Sequence, residues 1–382
     1  RTRTRLFDHD KLAAALTTAS GVKADPARLP FRAATLSVDG RAVSFDMGGK
    51  RYTCDVAGEA CASTNPPLFD PDAVLSPDGA KAVFIRDWNL WVRDVASRAE
   101  RQLTTDGEPH FGYATDNAGW RRSHRPVVLW SPDSRKVATF QQDERKVGQM
   151  YLVDTRAGHP VLDAWKYPLP GDEHVAMLHR VAIDVESAAV VRFRMAPDYH
   201  RAMLGDDVSL NDMSWSPDAT RFAFVSTGRD HKTATVRVAD AATGDVRTLF
   251  EEEEKTHFEA PAGWRVLWAS NEIIWNSQRD DWSHLYLYDL TTGALKHRIT
   301  SGPGPVMRIL KVDERARTVT FAANGREPGQ DPYFSHVYRI GLDGKGYVAL
   351  TPGDAHHAVQ LAPSGAFAIV TASTPERAPE AV

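Results

Sequence analysis

An apolar residue followed by Ser-Pro-Asp-Gly, or a near relative of that phrase, recurs along the chain, each time just ahead of a β-rich run. It reads Leu36-Ser-Val-Asp-Gly40, Leu75-Ser-Pro-Asp-Gly79, Trp130-Ser-Pro-Asp-Ser134 and Trp215-Ser-Pro-Asp-Ala219, with weaker echoes at Trp268-Ala-Ser-Asn-Glu272, Lys311-Val-Asp-Glu-Arg315 and Leu361-Ala-Pro-Ser-Gly365. Proline presets φ for the first turn position, and Asp or Gly accepts the next, so the phrase marks a hairpin turn between two strands. An alternating strand follows each turn: residues 82–85, 137–140, 222–225, 319–322 and 367–370. A second strand comes next, often aromatic and often ending in Asp, as in Leu90–Asp94, Met150–Asp154 and Leu285–Asp289. A Gly-containing turn and a last short strand complete a unit of about four strands in roughly 40–50 residues.

A four-stranded sheet cannot bury both faces alone, whereas sheets stacked around an axis cover one another and leave only short edges. The repeat therefore predicts an all-β fold, a β-propeller of four-stranded antiparallel blades. Counting units gives eight blades, near 31–64, 72–107, 125–160, 163–205, 209–255, 262–302, 305–352 and 356 onward; seven is the alternative. The alternative folds are a pair of β-sandwiches and a β-helix, and the turn phrase in one fixed place per unit argues for a propeller over sandwiches. Residues 1–30 form an N-terminal segment with one short helix, capped by Asp8 or Asp10 and carrying Leu12 and Leu16 one turn apart. The propeller spans 31–376, and 377–382 read as a linker.

With a net charge of −4 the chain has no basic surplus to condense on phosphate, so no nucleic-acid partner is expected. No apolar run is long enough for a membrane span, and no membrane partner is expected. The first residues, RTRTRLFDHD, lack the apolar stretch of a signal peptide; the numbering starts without Met, so one could have been removed. Cys54 and Cys61 face each other if Ala57-Gly58 sits at a hairpin tip, a placement that suits a disulfide; the alternative is two separate thiols. A disulfide points to the periplasm or the outside of the cell, with the cytoplasm as the alternative. The spacing suits no zinc knuckle, and neither a metal nor a cofactor is expected.

Several runs resemble the propeller of dipeptidyl peptidase IV and its bacterial relatives in the prolyl oligopeptidase clan of serine peptidases. They are Ser277-Gln-Arg-Asp-Asp-Trp-Ser-His-Leu-Tyr-Leu-Tyr288, Arg86-Asp-Trp-Asn-Leu-Trp-Val92, Gln102-Leu-Thr-Thr-Asp-Gly107, Ala164-Trp-Lys-Tyr-Pro-Leu-Pro170 and Pro328-Gly-Gln-Asp-Pro-Tyr-Phe-Ser-His-Val-Tyr338. The resemblance implies a propeller that caps an α/β-hydrolase domain, gates its active site and helps hold the substrate's free N-terminus. No Gly-x-Ser-x-Gly elbow occurs in this chain, so the expected catalytic set here is none, and the hydrolase domain of the same protein would supply the chemistry. Peptide substrate, that hydrolase domain and a second copy in a homodimer are the partners this reading implies. The alternative is a free-standing propeller that binds a protein or peptide.

Family exopeptidases hold the substrate ammonium with a Glu pair after a tyrosine. Here Tyr113 matches, but Ala114, Thr115 and Asp116 stand in place of the glutamates, leaving Asp116 as one carboxylate. The segment 113–125 is the expected substrate contact, through Tyr113, Asp116, Asn117, Trp120, Arg121, Arg122 and His124; the alternative is an inter-blade loop held by its own hydrogen bonds. Glu251–Glu254 and Asp143–Lys146 read as exposed turns, His356-His357 as a surface pair, and the strand tryptophans as packing between blades.

Overall fold

The structure is a computed structural model that describes residues 7–31, 34–37, 39–48, 50–64, 72–115, 124–155, 158–199, 212–259, 262–362 and 367–381. The chain divides into two compact units, 1–71 and 72–382. Among the described residues it builds seven blade sheets, one in the first unit and six in the second; the fold is an all-β propeller with one short N-terminal helix.

In the first unit, helix α1 (His9–Ser20) starts where Asp8 accepts hydrogen bonds from the backbone of Asp10 and Lys11, and stops at Gly21 in the left-handed region. Leu12 and Leu16 are fully buried against Val43, Phe45, Tyr52 and Cys54 of blade 1, whose strands are Thr35–Leu36, Ala42–Met47, Lys50–Asp55 and Cys61–Thr64. A disulfide joins Cys54 to Cys61 directly across the last two strands. Gly58, at the tip of that hairpin, has φ +74°, and a Cβ there would meet Lys11 at 2.8 Å, so the helix sits directly on the turn.

The second unit holds blade 2 (74–102), blade 3 (129–192), blade 4 (213–253), blade 5 (265–298), blade 6 (306–349) and a three-stranded blade 7 (356–381). The turn phrase folds alike in four blades. Ser37, Ser76, Ser131 and Ser216 each donate to the Asp two positions on, at 2.5–2.6 Å. Each serine oxygen also accepts a backbone N–H five residues on, from Ala42, Lys81, Lys136 and Arg221. The fourth turn residue is left-handed throughout: Gly40, Gly79, Ser134 and Ala219 have φ between 55° and 72°. The Asp that ends the third strand has its own task. Asp94, Asp184, Asp240 and Asp289 accept from the backbone of Ser97, Ser187, Thr243 and Thr292 and so close the next turn.

Apolar cores lie between blades. One cluster joins Ala223, Val225 and Val236 of blade 4 to Ile273, Trp275 and Tyr286 of blade 5; another joins Ile274, Leu285 and Leu287 to Val319, Phe321 and Tyr338 of blade 6. The tryptophan before the turn phrase donates its indole N–H backwards, from Trp130 to the Val74 carbonyl at 3.1 Å and from Trp215 to the Leu129 carbonyl at 3.0 Å. In blades 2, 3 and 4 the first residue of the second strand reaches forwards: Lys81 to Glu186 (2.6 Å), Lys136 to the Ala219 carbonyl (2.9 Å), and Arg221 over the Trp268 ring (5.0 Å). Blade 5 inverts the charge, with Glu272 buried beneath Lys296 and Arg317.

The expectation of eight blades is corrected to seven. Lys136–Asp143 pairs along its whole length with Met177–Asp184, so the units at 125–160 and 163–205 are halves of one blade. The strand counted between them, Gln149–Asp154, pairs with Val161–Lys166 in a separate two-stranded hairpin. Tyr151, Leu152, Val153, Val161 and Leu162 on it are 55–64 % exposed, so the hairpin closes no blade interior. At the chain's end, Arg377–Ala381 forms the third strand of blade 7 where the sequence reads as linker.

Candidate functional site

Blade 3 carries an extra inner strand, Phe111–Tyr113, which pairs with Gln141, Gln142 and Asp143 on the strand Lys136–Asp143. It places Tyr113 at the head of the expected substrate segment. Tyr113 is 1 % exposed, and its backbone N–H donates to the Trp88 carbonyl at 2.8 Å. Its hydroxyl donates to Asp106 at 2.8 Å and accepts from Arg192 Nη2 at 2.8 Å. The same Nη2 reaches Asp106 at 2.8 Å and the Gln141 side-chain oxygen at 2.7 Å. Burial, then the Asp106 carboxylate, pushes the Tyr113 hydroxyl well above its ordinary pKa, so it stays protonated and acts as a fixed donor. Arg192 and Asp106 are about half exposed and present their free edges outward as a paired cation and anion.

Behind this pair lies a denser set. Glu144, only 4 % exposed, meets His110 Nδ1 at 3.1 Å and Gln142 Nε2 at 3.2 Å. Arg145 bridges Asp143 (2.8 Å) and Glu108 (2.9 Å) and lies 4.0 Å over the Phe111 ring. His179 meets the edge of that ring, and burial pushes its pKa down. Arg145 and Lys146 are exposed as expected of a turn, whereas Glu144 is buried and corrects the exposed reading at its own position.

Of the sequence-predicted contacts, Tyr113 sits in the cluster and His124 is exposed further along. Asp116, Asn117, Trp120, Arg121 and Arg122 lie outside the described residues. The structure adds Asp106, Gln141 and Arg192. Asp106 was visible in the run Thr-Thr-Asp-Gly107, but its partner Arg192 is 86 residues away in the sequence.

Two other readings are corrected. Glu252 is buried and accepts from Trp275 (2.9 Å), Ser277 (2.5 Å) and Arg279 (2.5 Å), binding blade 4 to blade 5. His357 is 5 % exposed and packs against His336 of blade 6. Among the described residues no three His, Cys, Asp or Glu side chains are grouped to hold a metal. The hydroxyl–imidazole contact between Thr300 and His284 is buried, and the Thr300 oxygen already accepts the Leu285 N–H. Blade 2 repeats that arrangement with Asn89 and Thr104, which marks it as a packing feature.

The family model for the dipeptidyl peptidase IV N-terminal region matches residues 40–379. The chain belongs to that family. The chain is 25 % identical over 362 residues to a protein of Aspergillus fumigatus named a probable dipeptidyl-aminopeptidase B, covering 86 % of this chain and 38 % of that protein. An Aspergillus clavatus protein of the same name is 23 % identical over 364 residues, again with 86 % and 38 % covered. Among solved structures, Porphyromonas gingivalis dipeptidyl peptidase 4 superposes with a TM-score of 0.67 at 18 % identity, covering 95 % of this chain and 53 % of that one. The dipeptidyl peptidase IV N-terminal region described here thus spans well under half the length of the curated relatives.

Proposed function

We propose that this chain is the non-catalytic propeller of a dipeptidyl peptidase IV-like serine peptidase, limiting access by size and helping to hold peptide substrate for an α/β-hydrolase domain of the same protein. The mechanism is exclusion and orientation, with bond cleavage done elsewhere. The observation that carries the reading is the Tyr113–Asp106–Arg192 cluster, which stands at the start of the segment where the family resemblance puts the substrate's N-terminus. Arg192 offers a guanidinium edge to a peptide carbonyl, Asp106 offers a carboxylate to the ammonium, and buried Tyr113 fixes both. Asp116 is proposed as a second carboxylate for the ammonium, with Asn117, Trp120, Arg121, Arg122 and His124 as further substrate contacts; of these, only His124 lies within the described residues.

The exposed apolar hairpin 149–166 supports a homodimer contact, since a two-stranded ribbon with both faces in water is marginal on its own. The Cys54–Cys61 bond supports a periplasmic or secreted location.

The test uses the full-length peptidase and Ala-Pro chromogenic dipeptides. Arg192→Ala is expected to raise KM about tenfold with kcat little changed, the signature of lost ground-state binding. An unchanged KM in both Arg192→Ala and Asp106→Asn refutes this site. A gene that stops near residue 382, with no hydrolase region, instead favours the free-standing binding module.

A further inference from the structure

The seams between blades differ in what fills them. Between blades 3 and 4, Arg180 bonds the Val225 carbonyl; between 4 and 5, Glu252 bonds Arg279; between 5 and 6, Glu272 bonds Arg317. Between blades 6 and 7, two imidazoles face each other. His336 is the second residue of Ser335–Gly341 and His357 the second of His356–Leu361; the two strands pack together, and the ring centroids are 4.8 Å apart at 51°.

Both residues are deeply buried, at 3 % and 5 % exposure. His357 Nε2 lies 3.1 Å from the Pro352 carbonyl and is its donor, which leaves Nδ1 as a bare lone pair. That Nδ1 and both nitrogens of His336 are buried without a hydrogen-bond partner. The titratable groups around the pair bring little relief. His356, beside His357, accepts from the Ser335 N–H at 3.4 Å. Tyr338, whose ring lies 6.4 Å from His336, donates its hydroxyl to Glu327. Burial first, then His336, pushes the His357 pKa below its ordinary value, against the Ser335 and Pro352 backbone groups, which favour the charged ring; His356 adds a smaller push down. Two neutral rings therefore pack well here, whereas a proton on either must sit in a dry seam beside another imidazole.

We propose that the His336–His357 contact is an acid-sensitive latch: protonation of the pair loosens blade 7 from blade 6, while blade 4 stays closed. Above the ordinary histidine range the latch is fully closed. As pH falls through that range toward the lowered pKa, the opened state takes up the proton that the closed state refuses, so opening becomes easier.

The test is amide hydrogen exchange of the full chain at pH 7.5 and 5.5, corrected for the intrinsic pH dependence of exchange. His336→Asn is the informative variant, because blade 2 carries Asn89 ahead of Leu90 just as His336 precedes Val337, and both following N–H groups bond a threonine hydroxyl. In the parent chain, opening of 356–361 and 368–374 is expected to rise on the order of tenfold more than opening of blade 4 on acidification, and His336→Asn is expected to abolish that excess. An equal rise in parent and variant overturns the proposal. Should the variant not fold, imidazole NMR titration of the parent decides: a His357 ring titrating below the ordinary histidine value supports the latch, and a His357 ring at the ordinary value overturns it.

Discussion

Arg180→Met probes a deeply buried ion pair in the second unit. Arg180 and Asp198 are 3 % and 7 % exposed at their side chains, with Nε 2.6 Å from the carboxylate. Arg180 Nη2 also lies 3.6 Å from Asp212, and the guanidinium stacks 4.6 Å over Phe224. Methionine keeps most of the volume but strands two carboxylates; among the described residues Arg237, 3.8 Å from Asp198, is left as a nearby cation. Breaking a buried pair by removing one member costs about 3–5 kcal/mol. The unit of 382 − 71 = 311 residues has an unfolding entropy of roughly 0.65 kcal/mol/K, so Tm should fall by about 5–8 °C. The charge origin has a sign that separates it from a packing defect. Burial already holds the Asp212 pKa above its ordinary value, and losing Arg180 raises it further. A carboxylate whose folded pKa lies above its unfolded one destabilises at high pH, and the penalty fades as pH falls through the folded value. Urea unfolding of parent and Arg180→Met at pH 8 and pH 5 should therefore show a gap that narrows on acidification. A gap below about 1 kcal/mol at pH 8, or one independent of pH, refutes the reasoning.

Replacing Cys54 and Cys61 with alanine opens a short loop, with a sequence separation of 7, and should cost the first unit roughly 2–3 kcal/mol, read by urea unfolding. His284 is pushed down to about 4, by burial first and then by Arg326 and Arg298. Its folded pKa lies below the unfolded one, so its contribution is intact above about pH 6.5 and is lost as pH falls toward 4. Between pH 7 and 4 the parent should lose about 3 kcal/mol more stability than His284→Asn; equal losses contradict the assignment.

Local chemistry was legible in the sequence, and long-range partnership was not. Ser-Pro-Asp-Gly, the Asp that ends a strand, and Asp8 ahead of the helix each act within five residues, so residue type and spacing fix what they do. The blade count failed at 149–154 because Met-Tyr-Leu-Val-Asp has the same alternation as a third strand; whether its apolar faces are covered depends on Val161–Lys166 pairing with it and Met177–Asp184 taking its place in the blade. Glu252 sits in an acidic run that reads as solvated, and Trp275, Ser277 and Arg279 of the next blade make its burial tolerable. His357 likewise looked exposed because the ring it packs on belongs to another blade. At the candidate site, Tyr113 followed from the resemblance, whereas Arg192 is brought to it by the pairing of Met177–Asp184 with Val190–Arg192.

On the proposed function this propeller positions substrate and leaves bond cleavage to another domain. Hydrolysis of Gly-Pro and Ala-Pro chromogenic dipeptides, measured side by side for residues 1–382 alone and for the full-length protein, tests it most directly. The account predicts no turnover by the propeller alone and serine-inhibitor-sensitive turnover by the whole. Robust inhibitor-sensitive cleavage by the isolated propeller contradicts it.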